Sequence, residues 1–264
     1  MKKLSVIIIT FNEERNIRRC IESVRDIADE IVVVDSMSTD STEEICNTLG
    51  VRFFSQKWLG YSEQKNFANS LASNDWILSI DADEALSEEL KKSITELKKR
   101  DFDEHNVFCL NRLTNYCGHW IRHCGWYPDR HIRLWNRKIG RWNGIIHETI
   151  RFDQPVAKTI IKGDLLHYSY KDIEDHMRIA NKYTSLIAHE KFEKGKRCSF
   201  VKMYLSPPFA FIRDFIFKRG FLDGKRGYAI CKINSFSTYL KYLKLWELEN
   251  EKKRNNNNAH SDNV

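Results

Sequence analysis

The sequence predicts an α/β protein with a mainly parallel sheet flanked by helices and a helical extension at its C-terminal end. Three observations carry that reading. Short apolar, β-branched runs alternate with amphipathic helical patterns through residues 1–100, the rhythm of right-handed crossover connections. Two of those runs end in carboxylates, Asp35 and Asp81, and ligands of open α/β sheets gather outside the carboxyl ends of the strands. Beyond residue 170 the pattern turns helical and basic.

In order, Leu4 to Thr10 reads as a buried strand, followed by a helix with apolar positions at Ile17, Cys20, Ile21 and Val24. Glu30 to Asp35 is a second strand, and Ser36 to Asp40 a polar loop. Ser41-Thr42-Glu43-Glu44 fits a capping box opening the next helix, which stops near Gly50. Val51 to Ser55 is a strand, Tyr61 to Ala72 a helix, and Trp76 to Ile80 a strand. Ser87 to Lys99 is an amphipathic helix with Leu90, Ile94 and Leu97 on one face. After Asp101, shorter strands at Val107–Leu113, Ile132–Trp135 and Thr159–Ile161 are separated by long aromatic loops. Ile173 to Glu193 is a long helix, Pro207-Pro208 breaks the next segment, and Gly224 to roughly Glu249 is helical again. The Asn-rich tail, 255–264, reads as disordered.

Length and composition bound the function. At 264 residues, with 42% hydrophobic and 30% charged residues, the chain is an ordinary globular protein. Seven cysteines without a short-spaced pattern argue against a disulfide framework and fit a reducing cytosol. The first apolar run is too short for a signal peptide, and no stretch reaches bilayer-spanning length. The charge is lopsided. Lys194 to Lys244 holds twelve Lys or Arg against Asp214 and Asp223, a net +10 in a chain of net +7. Interleaved aromatics there suit a helix lying on an anionic membrane. They also suit single-stranded nucleic acid, or packing against the rest of the protein.

The chemistry centres on Asp81-Ala82-Asp83 at the end of the fourth strand. Two hard oxygen ligands there suit Mg2+ or Mn2+ bridging to substrate phosphates; a lone Asp-x-Asp in a capped turn would mean less. Asp35, at the same edge, is positioned to accept hydrogen bonds from a ribose or base. Neither a Walker A motif nor Gly-x-Gly-x-x-Gly occurs, so phosphate charge falls to a metal and scattered cations. Lys65 is either such a cation or a solvated helix lysine. Cys117 to Cys124 offers four zinc-type ligands in eight positions, without the second spaced pair a structural zinc needs.

Taken together, Val6 to Glu13, the Val34-Asp35-x4-Asp40 loop, Gln64-Lys65-Asn66 and Asp81-Ala82-Asp83 resemble the inverting glycosyltransferases of family two. Gly125 to Trp135 and Trp142 to Glu148 resemble a branch that includes lipopolysaccharide inner-core glucosyltransferases. The resemblance implies a GT-A (Rossmann-like) catalytic domain over 1–170. Its residues 1–100 would bind the nucleotide sugar and 101–170 the acceptor, with a membrane-associating extension at 171–254. It implies a UDP-sugar donor, UDP-glucose in the nearest branch, a divalent metal, and a lipid-linked glycan acceptor at the inner face of the cell membrane. Thr10, Asn12, Glu13, Asp35, Lys65 and Asp81 would then contact the donor. Asp83, Asp81 and His147 would bind metal, His147 being alternatively a core histidine. Trp126, Tyr127, Arg130 and Arg133 would meet the acceptor, unless Arg133 forms a structural salt bridge. The general base falls to Glu148, ahead of Asp129. The Gln-x-x-Arg-Trp motif and membrane spans of processive synthases are absent, so one sugar per encounter is expected. Two other readings compete. A sugar-nucleotide nucleotidyltransferase shares strand-end aspartates but opens with a Gly-rich loop, and a nucleic-acid binder leaves those aspartates without a role.

Overall fold

The structure is a computed structural model and describes residues 2–100, 103–144 and 148–261, with side chains through Arg254. The chain divides into two compact units, Met1–Thr114 with Pro128–Ser169, and Asn115–Tyr127 with Tyr170–Val264.

The first unit opens with β1 (Leu4–Thr10), α1 (Ile17–Val24), β2 (Glu30–Asp35), α2 (Thr42–Thr48), β3 (Arg52–Ser55), α3 (Tyr61–Leu71) and β4 (Trp76–Asp81). β3, β2, β1 and β4 lie in that order, each pair parallel. Their period-two alternation sends neighbouring residues to opposite faces. Val6, Ile8, Val33, Leu78 and Ile80 enter one core layer with Ile17, Ile21 and Val24 of α1. Ile7, Val32, Val34 and Ile77 enter the other, with Ala68 of α3.

Beyond β4 the sheet changes direction. β5 (Glu84–Leu86) and α4 (Glu88–Lys99) come next, then β6 (Asn106–Tyr116), β7 (His119–Trp120), β8 (Asp129–Asn136), β9 (Gly140–Asn143), β10 (Thr149–Phe152) and β11 (Ala157–Tyr170). The order continues from β4 through β8, β6 and β11 to β5, with β4–β8, β8–β6 and β11–β5 antiparallel. β9 and β10 form a separate hairpin. At Gly163, φ is +102° and an added Cβ would sit 2.3 Å from the Leu90 backbone nitrogen. Glycine therefore lets β11 pass the start of α4 and reach β5, setting His167 opposite Glu84.

Local chemistry differs from the sequence reading in three places. Ser41 makes no side-chain cap to α2; Asp40 Oδ1 accepts both the Thr42 N–H and its hydroxyl instead. The short Asp carboxylate reaches those donors directly. Helix α6 (Phe200–Ile212) runs through Pro207 and Pro208 rather than breaking. Ser235 Oγ donates to the Pro207 carbonyl at 2.8 Å, one tie holding α6 to the last helix. That helix, α7 (Gly224–Ser261), continues past Glu249 into the Asn-rich stretch.

The second unit holds α5 (Ile173–Glu193), α6, a π-helical turn (Arg213–Phe217), a 3-10 turn (Gly220–Asp223) and α7. Its small core gathers Tyr116, Ile121, Cys124, Ile230 and Cys231. Next to it, His176 is buried against Tyr116 and Tyr170, and its Nδ1 pairs with the Tyr116 hydroxyl at 3.0 Å. Burial lowers that imidazole from 6.5 to about 4. The folded protein keeps it neutral while the unfolded chain protonates it, so its stabilisation is complete above pH 6.5 and is lost as pH falls toward 4. The melting temperature of the protein should fall across that window, and His176→Phe should flatten the dependence. An unchanged slope in the variant would assign the effect to another group.

Candidate active site

Asp81 ends β4, and a tight turn through Ala82 and Asp83 leads straight into β5. Charged side chains are packed around it. Lys65 Nζ, on α3, lies 3.1 Å from Asp81 Oδ1. Arg133 Nη2, on β8, lies 3.0 Å from Asp81 Oδ2 and 2.6 Å from Glu84 Oε1. The other Glu84 oxygen accepts the Asp81 backbone N–H at 2.9 Å. Lys65, Arg133 and Glu84 are all buried. Burial opposes the charge on Asp81, yet Lys65 and Arg133 outweigh it and hold that carboxyl well below the usual range. Burial raises Glu84, with Arg133 opposing. In this buried network each charge has a partner, although Arg133 Nε makes no hydrogen bond.

Its consequence is a division of labour between the two aspartates. Both Asp81 oxygens already face cations. Asp83 instead pairs through Oδ2 with His167 Nε2 at 3.1 Å, and its carbonyl accepts the Tyr168 N–H from β11 at 2.9 Å. Burial lowers His167, but the charge of Asp83 overcomes this and the imidazole ends above its ordinary value. His167 Nδ1 is buried without a hydrogen-bond partner. Burial also raises Glu13; a hydrogen bond from Asn16 opposes this, and the nearby Asp83 and Asp40 add to it.

The neighbouring strand ends build a polar loop. Asp35 Oδ2 accepts the Ser38 N–H at 2.7 Å, closing the turn after β2. Asn12, at φ +54°, donates its N–H to Ser38 Oγ and accepts the Thr39 N–H; asparagine tolerates that conformation better than most residues. Thr10 Oγ1 and Gln64 Oε1 are buried beside this loop's strands without partners.

Helix α3 joins this edge to the β9–β10 hairpin. While Lys65 reaches Asp81, Asn66 exchanges two 2.9 Å hydrogen bonds with the backbone of Trp142, and Ser62 Oγ donates to the Gly144 carbonyl at 2.6 Å. The Lys65 ammonium also sits 4.6 Å from the centre of the Trp142 ring. Glu148 lies one residue before β10, at the loop end of that hairpin, and is partly exposed.

Several expected site residues find other employment. Lys65, read as a phosphate contact or a solvated lysine, and Arg133, read as an acceptor contact or a structural salt bridge, are buried ion-pair partners of the partly exposed Asp81. Asp129 pairs with Arg112 at 2.7 Å and His131 at 2.9 Å. Burial raises it, but those two partners prevail and lower it to about 2. A carboxylate so well stabilised is a weak proton acceptor. Arg130 is exposed and bonds Asn111. Trp126 and Tyr127 belong to the second unit, where Trp126 stacks on Tyr170 at 5.2 Å and Arg122 sits over Tyr127. His147 lies outside the described residues. Glu84 and His167 were missed. An apolar strand bearing one polar residue, Leu165-Leu166-His167, was the available sign.

A parallel half-sheet with carboxylates at its carboxyl edge, and no Gly-rich phosphate loop, is the frame expected from the glycosyltransferase resemblance. The chain belongs to glycosyl transferase family 2, whose model matches residues 5–152. Relatives match almost its whole length. An uncharacterized glycosyltransferase of Rickettsia typhi is 36% identical over 94% of this chain and 88% of its own. The lipopolysaccharide core biosynthesis glycosyltransferase LpsC of Rhizobium meliloti is 32% identical over 96% and 95%. Among solved structures, S. aureus TarS has a TM-score of 0.43 at 16% identity, covering 70% of this chain and 39% of that one. Glucosyl-3-phosphoglycerate synthase from Mycobacterium tuberculosis, solved with Mn2+ and UDP-glucose, has 0.36 at 23%, covering 43% and 44%. These matches span less than half of either solved chain.

The charge network makes a stability prediction. Arg133→Met leaves Glu84 and half of Asp81 unpaired in the interior and should cost about 3–5 kcal/mol in urea unfolding. Arg112→Met, at the more exposed Asp129 pair, should cost no more than about 1 kcal/mol. Equal losses would contradict the account of the buried cluster.

Proposed function

We propose that this glycosyltransferase moves a single sugar, glucose from UDP-glucose, with inversion onto a lipid-linked glycan such as a lipopolysaccharide inner core, working at an anionic membrane surface. The observation that carries the site assignment is the Asp83–His167 pair beside the neutralised Asp81. The name borne by LpsC supports the acceptor class. The resemblance of Trp142 to Glu148 to the glucosyltransferase branch supports the sugar.

A divalent metal fits these residues. Asp83 offers a hard carboxylate oxygen, the donor type that Mn2+ and Mg2+ favour, and the neighbouring His167 an imidazole nitrogen, which suits Mn2+ better than Mg2+. Among the described residues no three His, Cys, Asp or Glu converge to hold a metal. One or two carboxylates are what Mg2+-type sites use when substrate phosphates and water complete the shell. When bound, the ion neutralises charge on the diphosphate leaving group. Asp81, with both oxygens on cations, is a positioning residue for the turn rather than the main ligand.

The chain's own groups account for the rest. Asp35 and the loop from Ser36 to Thr39 form the nucleoside end of the donor site. Glu148 takes the proton from the acceptor hydroxyl, whose oxygen attacks the anomeric carbon. The bond from that carbon to the diphosphate oxygen breaks, and UDP leaves with the electron pair. One displacement inverts the configuration. α3 ties Asp81 to the hairpin that carries Glu148, so proton acceptor and donor are held by one helix.

A screen of UDP-, GDP- and CMP-sugars for donor hydrolysis tests the donor without knowledge of the acceptor; preference for a GDP- or CMP-sugar would overturn the reading. Glu148→Gln should lower turnover roughly 10²-fold or more while UDP-glucose affinity stays within a few-fold. Asp129→Asn should leave turnover largely intact and raise the acceptor KM. Should Asp129→Asn abolish turnover while Glu148→Gln remains active, the base is Asp129.

A further inference from the structure

Helix α6 is apolar nearly all the way round. Met203 and Ala210 are buried within the second unit. A helix of that composition is normally covered on every side. The opposite face of α6 is not. Val201, Tyr204, Leu205, Phe209 and Ile212 recur at helical spacing along it, and Phe217 extends it through the π-helical turn. Val201, Leu205 and Phe209 are 67%, 64% and 66% exposed, and Phe217 is 76%. Exposed apolar area of this kind marks an interaction surface.

Charge says what covers it. Lys202 and Arg213 stand three helical turns apart, along one border of the apolar stripe, and both are exposed. Lys218 and Arg219 come at its end. The buried Asp214 holds Arg213 at 2.8 Å and Lys218 at 3.2 Å, fixing those two cations beside the apolar residues. An apolar face bordered by fixed cations complements an anionic bilayer, where acyl chains take the first and headgroups the second.

The backbone sets the depth. At 13 residues α6 is about 20 Å long, too short to cross a bilayer, and among the described residues no helix is long and apolar enough to do so. Pro207 and Pro208 supply no N–H to the Tyr204 carbonyl from either the third or the fourth residue onward. A carbonyl without its helical donor belongs in the wet headgroup layer rather than in hydrocarbon. We propose that the outer face of α6, continued through Phe217 and bordered by Lys202, Arg213 and Lys218, is an in-plane insertion surface for an anionic bilayer. This rests on the membrane-surface part of the function proposed above and assigns the contacting residues.

Full-length protein should sediment with phosphatidylglycerol–phosphatidylcholine vesicles at low salt and much less with phosphatidylcholine alone. Phe209→Glu with Phe217→Glu should reduce that binding at least tenfold, and Lys202→Gln, which removes one charge, should reduce it about fivefold. Both side chains are exposed, so melting temperature and UDP-glucose hydrolysis should be unchanged; Phe217→Ser alone serves if the double variant unfolds, with a smaller loss in the same direction. Wild-type protein that ignores anionic vesicles at low salt would overturn both this surface and the membrane reading. Wild-type binding that survives every α6 substitution would overturn the surface alone. A dimer that the α6 substitutions convert to monomer, without vesicle binding in either, would make the face a self-interface and overturn the proposal.

Discussion

Two buried cations facing two carboxylates at the end of β4 are the constraint on which the rest of the site depends. Charges taken out of water are costly unless each meets a partner. Asp81 sits between Lys65 and Arg133, and Glu84 shares Arg133 while accepting the Asp81 N–H. Those contacts fix the turn into β5. Asp83 is therefore presented from a rigid backbone, with His167 of β11 beside it. For the proposed metal, the negative charge is that of Asp83, whose carboxylate no lysine or arginine has already neutralised.

The same arrangement links the two halves of the chemistry. Consecutive residues of α3 do different work: Lys65 faces Asp81, and Asn66 holds Trp142 by its backbone. A shift of α3 would move the Asp81–Asp83 turn and the Glu148 hairpin together. Gly163 plays a comparable part on the other side, because only there can β11 pass close to Leu90 and bring His167 to Glu84 and Asp83.

The parallel half of the fold was legible because its signals are local. Val6 and Ile8 alternate with Ile7, and the two core layers obey that alternation. Asp35, Asp81 and Asp83 could be placed at strand ends for the same reason. Partners were not legible. Arg133 meets Asp81 only because β8 pairs antiparallel with β4, Leu134 opposite Leu78, and no sequence period announces that register. Lys65 looked like a solvated lysine or a phosphate ligand, since an ion pair sixteen residues away leaves no mark on its own helix. Glu84 carries no local mark of its burial or of the ladder with β11 that claims it. Pro207 and Pro208 read as a break because their cost is local, whereas the packing of α6 on α7 that retains the helix is not.

The central claim is that Asp83 and His167 hold a divalent ion that completes the diphosphate site. Linkage tests it without the acceptor, since two ligands that share a site change each other's affinity by the same factor. Calorimetric titration of UDP should give tighter binding with saturating Mn2+ than without it, and Mn2+ should bind correspondingly tighter in the presence of UDP. Asp83→Asn should remove most of that mutual enhancement while leaving the metal-free UDP affinity nearly unchanged. Equal UDP affinity with and without Mn2+ in the wild-type protein, or full enhancement in Asp83→Asn, would contradict the account.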